Sequence, residues 1–248
     1  MAILIMQRAM VSSVKGSIPK SETAKKYYEA IAQRFKESKK AVKSTLLNRL
    51  IDMKYDGQAH WVAGKKVMRY LQRTKDYKLV FKRSENLELQ GFADADFAGC
   101  QDTLKSTSGF VFMFGGSAVS WRSIKQPLTA GSTMLAEFLA CYEATSQAMW
   151  LRNFIISLSV VESIHRPIQL WNDNSAAVTF AKGNKRTRGS RLLDVKFIIV
   201  KEKISQGYTT IDHIGTEQMI ADPLTKGVPN AVFHRHVFSM GLTADKEV

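Results

Sequence analysis

The spacing of apolar positions changes along this chain, and the change divides it. From residue 21 to about 57 they recur at helical intervals. Tyr27, Tyr28, Ile31 and Phe35 form one stripe, with Ser21 placed as its N-cap, and Leu46, Leu47, Leu50 and Met53 form a second. Residues 60–74 predict a basic amphipathic helix, with Trp61, Val67, Met68 and Leu71 toward one side. Gly64 weakens it slightly. Residues 79–81 predict a short strand. Beyond residue 86 the pattern shortens to strand length. Strands are expected at 87–97, 109–114 and 118–121, the last two joined by Gly115-Gly116, a hairpin signal. A long helix follows from 134 to about 158, with Leu135, Leu139, Tyr142, Ala148 and Leu151 among its core positions. Then come a strand at 167–171, a helix from 174 to about 182, and a basic loop or helix start at 185–191. A helix at 192–205, a strand at 208–214 and a short helix at 217–226 complete the order β-β-β-α-β-α-α-β-α. The expected fold class is therefore α/β, a mixed sheet with flanking helices, preceded by a small helical N-terminal arm. The expected segments are 1–57, 58–88, 89–228 and a tail at 229–248.

Charge adds a partner class. The 248 residues carry a net +14, and residues 1–90 hold 20 Lys/Arg against 8 Asp/Glu, or +12 of it. A basic arm beside a near-neutral domain suggests a polyanion, most simply nucleic acid; a solvated basic face is the plainer alternative. Lys65, Lys66, Arg69 and Arg73 on the helix, and Lys185, Arg186 and Arg188 in the basic loop, are the candidate phosphate contacts.

Other signals exclude classes. Two cysteines, Cys100 and Cys141, make no disulfide framework, and His234-Arg235-His236 has no partner cysteines at zinc spacing. The apolar start is too short for a signal-peptide core, and no run reaches membrane-spanning length. The expected location is intracellular, in cytoplasm or nucleus, with no membrane partner.

Four carboxylates carry the candidate chemistry: Asp94 in Phe92-Ala93-Asp94-Ala95-Asp96, Glu137 in Leu135-Ala136-Glu137-Phe138, Asp173 in Trp171-Asn172-Asp173-Asn174, and Asp222 in Ile220-Ala221-Asp222-Pro223-Leu224. Taken singly, each is an ordinary strand, helix or turn carboxylate. Brought together they would repel unless cations held them, and such a cage suits Mg²⁺, which takes oxygen ligands and keeps open positions for phosphate. Two such ions about 4 Å apart can cut a phosphodiester.

In this order the motifs resemble the ribonuclease H end of copia-type retrotransposon Pol polyproteins, across about 58–228. The resemblance rests on 94–100 (Asp-Ala-Asp-Phe-Ala-Gly-Cys), 106–110 (Ser-Thr-Ser-Gly-Phe), 120–126 (Ser-Trp-Arg-Ser-Ile-Lys-Gln), Ala136-Glu137-Phe138, Trp150-Leu151, 173–177 (Asp-Asn-Ser-Ala-Ala) and 221–226 (Ala-Asp-Pro-Leu-Thr-Lys). Residues 60–74 resemble the tail of the same family's reverse transcriptase, although its catalytic Asp-Asp motif is absent here, and 21–57 resemble a piece of its gag capsid protein. Such pieces lie far apart in a polyprotein, so their adjacency suggests a rearranged, partly deleted element. The resemblance implies a ribonuclease H-like fold in which Asp94, Glu137, Asp173 and Asp222 bind two Mg²⁺, or Mn²⁺ in their place, and hydrolyse the RNA strand of RNA–DNA hybrids. Asp96 shares a strand face with Asp94; Asp94 is preferred because it occupies the family position. Several positions depart from the family: the Glu expected near Met134 is missing, Trp171-Asn172 replaces small residues or Cys, and two His are replaced around 191–199. The alternative expectation is an inactive remnant that binds nucleic acid or self-associates through its gag-like arm.

Overall fold

The computed structural model describes residues 58–81, 84, 87–100, 103–159, 161–183 and 191–244. The two helices expected in 21–57, the gag-like segment, and Lys185, Arg186 and Arg188 lie outside the described residues. The chain divides into two units, 1–76 and 77–248.

The described part of the first unit is helix α1, Gln58–Arg73. Lys65, Arg69 and Arg73 recur every four residues along it, with Lys66 beside them, and all four are exposed. The ammonium of Lys65 lies 5.1 Å from the Trp61 ring centroid. Thr74 closes the helix by donating both its N–H and its hydroxyl to the carbonyl of Tyr70.

The second unit is built on five strands: β2 Leu89–Asp96, β3 Thr107–Phe114, β4 Ser117–Lys125, β5 Ile168–Asn172 and β6 Thr209–His213. Their order across the sheet is β4-β3-β2-β5-β6. The pairs β2–β3 and β3–β4 are antiparallel, while β2–β5 and β5–β6 are parallel. This is the ribonuclease H-like mixed sheet that the resemblance implies, with its first, fourth and fifth strands parallel. The β3–β4 hairpin turns on Gly115 and Gly116, both at positive φ, as a two-residue hairpin turn of the favoured hand requires.

Strand alternation builds two cores. Phe110 and Phe112 of β3, with Ala93 and Ala95 of β2, face one side. There they meet helix α2, Thr133–Leu158, and helices α3, Ser175–Lys182, and α4, Arg191–Ser205. Ala136, Ala140, Ala144 and Ala148 are fully buried at four-residue intervals, so α2 presents a small-residue stripe that lets it lie close on the sheet. Ser132 caps it, its hydroxyl accepting from the N–H of Leu135. Val111 faces the other side and packs with Met219, Ile220, Ala221 and Met240.

Two segments differ from expectation. Residues 217–226 form no continuous helix but two short 3₁₀ turns, Thr216–Gln218 and Asp222–Leu224. Pro223 lacks an N–H and its ring opposes a continuing turn, so the chain turns sharply at the site. The segment read as a tail, 229–248, contains helix α5, Asn230–Ser239, and strand β7, Leu242–Ala244. Strand β7 pairs antiparallel with β1, Tyr77–Leu79. The N–H of Ala118 donates to the carbonyl of Met240, tying this segment to the sheet. Among the described residues no helix is long and apolar enough to cross a membrane.

Candidate metal centre

Three strands or turns converge at one end of the sheet. Asp94 stands near the carboxyl end of β2, Asp173 directly after β5, and Asp222 at the start of the second 3₁₀ turn. One carboxylate oxygen from each lies within 4.8 Å of the others, although the residues are up to 128 positions apart. Asp94 and Asp222 are buried and Asp173 is half-buried. Parallel strands β2 and β5 are in register at Phe92 and Trp171, so Asp94 and Asp173, each two residues further on, become neighbours in space.

Glu137 is placed differently from the other three. It sits buried in the first turns of α2, and its Oε2 accepts a 2.9 Å hydrogen bond from Nδ2 of Asn172. It is therefore an electrostatic neighbour of Asp94 and Asp173 rather than a member of the tight trio. Asp96 is not in the cluster: its carboxylate folds over Gly99, where a Cβ would stand 1.8 Å from Oδ2.

Burial sets the charge state. Desolvation pushes Asp94 up to about 6, offset in part by the Thr225 hydroxyl and the Lys226 ammonium. Glu137 is pushed up to about 8, again by burial first and then by the charge of Asp94. Burial also holds Asp222 above its ordinary value, against the pull of Lys226.

Two residues not assigned a role from the sequence complete the site. The hydroxyl of Thr225 donates to Oδ2 of Asp94. The ammonium of Lys226 lies 3.0 Å from Oδ1 of Asp222 and 3.5 Å from Oδ1 of Asp94. Burial alone would lower Lys226, but Asp94, Asp222 and Asp173 outweigh it and hold the ammonium above its ordinary value. A cation of the chain's own thus stands between two of the carboxylates. The donor set is all oxygen, negatively charged and close together, which fits a hard divalent ion; the identity of the ion does not follow from the donors alone.

Gly109 lies opposite Asp94 in the β2–β3 ladder. A Cβ there would meet Cγ2 of Thr225 at 2.6 Å and Cβ of Leu224 at 3.0 Å, so a bare backbone at 109 admits the Asp222–Lys226 turn against the sheet. His213 ends β6, with Nε2 3.1 Å from the carbonyl oxygen of Asp173. Its only signal in the sequence is a polar residue at the carboxyl end of a strand. Of the expected phosphate contacts, Lys65, Lys66, Arg69 and Arg73 belong to the other unit.

No protein-family model matches the chain. It is 33% identical over 177 residues to the retrovirus-related Pol polyprotein from transposon TNT 1-94 of Nicotiana tabacum. That alignment covers 71% of this chain and 13% of the polyprotein. It is 48% identical over 92 residues to the secreted RxLR effector protein 161 of Plasmopara viticola, which covers 37% of this chain and 65% of that protein. Among solved structures it overlays LC11-RNase H1, crystallised in complex with an RNA/DNA hybrid, with a TM-score of 0.41 and 16% identity, covering 56% of this chain and 94% of that one.

Proposed function

We propose, from the premise that its homologues are copia-type transposon Pol polyproteins, that the second unit of this chain is a metal-dependent nuclease that hydrolyses the RNA strand of RNA–DNA hybrids. The observation that carries this reading is the convergence of Asp94, Asp173 and Asp222 to within 4.8 Å, in the motif order of that family. Three carboxylates at this separation, two of them buried, repel one another when ionised, and bound cations relieve that repulsion.

Asp94, Asp173 and Asp222 would hold two Mg²⁺ (or Mn²⁺), with Glu137 completing the set. Such ions supply an activated water and neutralise charge on the phosphate under attack. The chain's residues do the rest. Thr225 orients the Asp94 carboxylate, and Lys226 offsets part of the negative charge of Asp94 and Asp222 before a metal is loaded. His213, exposed at the rim, holds the backbone carbonyl of Asp173 through Nε2. Lys65, Lys66, Arg69 and Arg73 on α1 would bind phosphates without reading sequence.

The test is cleavage by the purified full chain of an RNA–DNA hybrid labelled on the RNA strand, with Mg²⁺ and with EDTA. Mg²⁺-dependent cleavage of the RNA strand alone is the expected result. Binding of the hybrid with no cleavage in Mg²⁺ or Mn²⁺ would overturn the nuclease and leave an inactive nucleic-acid-binding remnant.

A further inference from the structure

Asn172 ends β5 and is fully buried, a position where a polar side chain must satisfy every donor and acceptor or cost the fold free energy. Both amide hydrogens and the amide oxygen are engaged, and all three bonds lie at the carboxylate site. Nδ2 donates to the carbonyl of Ala93 and to Oε2 of Glu137, each at 2.9 Å. Oδ1 accepts from the N–H of Asn174 at 3.0 Å. Ala93 immediately precedes Asp94, and Asp173 lies between Asn172 and Asn174. One amide therefore joins the backbone that carries Asp94, the turn that carries Asp173, and the side chain of Glu137 itself.

We propose that Asn172 is the positioning residue of the carboxylate site, fixing Glu137 in the orientation from which it completes the metal-binding set. The inference rests on the metal-site reading above. A side chain that only filled the core would have no need of a donor aimed at a carboxylate. Aspartate at 172 would match the shape but replace the donor with a third negative charge against Glu137 and leave the Ala93 carbonyl unpaired. Alanine would remove the hydrogen bond that Glu137 accepts from Asn172. Groups that orient a metal ligand from behind typically set affinity by 10–100-fold.

The test is a double-mutant cycle read as Mn²⁺ affinity of the full chain, followed by electron paramagnetic resonance of the free ion. Asn172→Ala should weaken Mn²⁺ binding by about tenfold or more. The same change in a Glu137→Gln background should weaken it by less than about twofold, because the residue it acts through is already neutral. A folded Asn172→Ala protein with unchanged affinity overturns the inference, and so does an equal loss in both backgrounds. A wild type that binds no Mn²⁺ overturns the metal-site reading and this inference with it, whereas the first two results leave that reading intact. If Asn172→Ala does not fold, the wild type decides. Mg²⁺ should shift the side-chain amide signals of Asn172 in a ¹⁵N spectrum, and Glu137→Gln should abolish the shift. Amide signals indifferent to Mg²⁺ would overturn the proposal.

Discussion

Raising the pH from 5 to 8 in the presence of EDTA should destabilise the second unit, and saturating Mg²⁺ should remove the effect. Glu137 ordinarily loses its proton near 4.5, but in the folded chain burial and the charge of Asp94 push it up to about 8. Between those values the native state keeps a proton that the unfolded state has released. Every rise in pH then favours unfolding: the stabilisation is complete below about 4.5 and is lost as pH climbs through 8. At 1.36 kcal/mol per pH unit, the interval from 5 to 8 has a ceiling of about 4 kcal/mol. Asp94, pushed up to about 6, acts in the same direction. The two share one mutual repulsion, so their contributions do not add, and about 2–4 kcal/mol is the expected total. For a chain of this size that is roughly 5–15 °C in Tm. His236 is fully buried and held below its ordinary value, so it works in the opposite direction at the acid end. Comparison with Glu137→Gln cancels that contribution. The assay is thermal unfolding by circular dichroism at half-unit pH steps, for both proteins, in EDTA and in Mg²⁺. Wild type should lose stability with pH in EDTA more steeply than Glu137→Gln, and the difference should vanish in Mg²⁺, which favours the ionised carboxylates. Parallel curves for the two proteins in EDTA would refute the charge state assigned to Glu137.

Four further outcomes follow from the same geometry. Asp94→Asn should reduce Mg²⁺-dependent hybrid cleavage by at least about a thousandfold, while circular dichroism shows an intact fold, because a ligand and a charge are lost but little packing. Gly109→Ala should cost about 1–3 kcal/mol, as overpacking does, and should weaken Mn²⁺ affinity in titration, since the Asp222–Lys226 turn must move away from Asp94. Lys226→Met should lower stability in EDTA by about 1–3 kcal/mol, between the values for exposed and buried ion pairs, and thermal unfolding with added Mg²⁺ should recover most of the loss. Replacing Lys65, Lys66, Arg69 and Arg73 by Ala should flatten the slope of log affinity against log salt for a hybrid by about 3, at 0.7–0.9 per phosphate contact; an unchanged slope in a binding titration would leave those charges as a solvated face.

Local physics is what the sequence made legible. Strand and helix periods follow from which face of each element is buried, and they placed β2 to β6 and α2 to α4 within a few residues of where they lie. The Gly115-Gly116 hairpin follows from a positive-φ requirement that two adjacent glycines meet. The order of the four carboxylate motifs was readable because each sits in a short segment of its own. The short helix expected at 217–226 is interrupted at Pro223, which has no N–H to donate, and two 3₁₀ turns stand there instead. What the tertiary structure alone decided are contacts between segments far apart in the chain. Lys226 reaches Asp94 across 132 residues, Thr225 the same carboxylate across 131, and Asn172 meets Glu137 across 35. Gly109 is needed only because the 222–226 turn lies on it. No local period encodes such pairings. They depend on sheet order, on the return of α5 and β7 over the second face, and on the cost of burying charge without a partner, which exists only once the chain has closed around it.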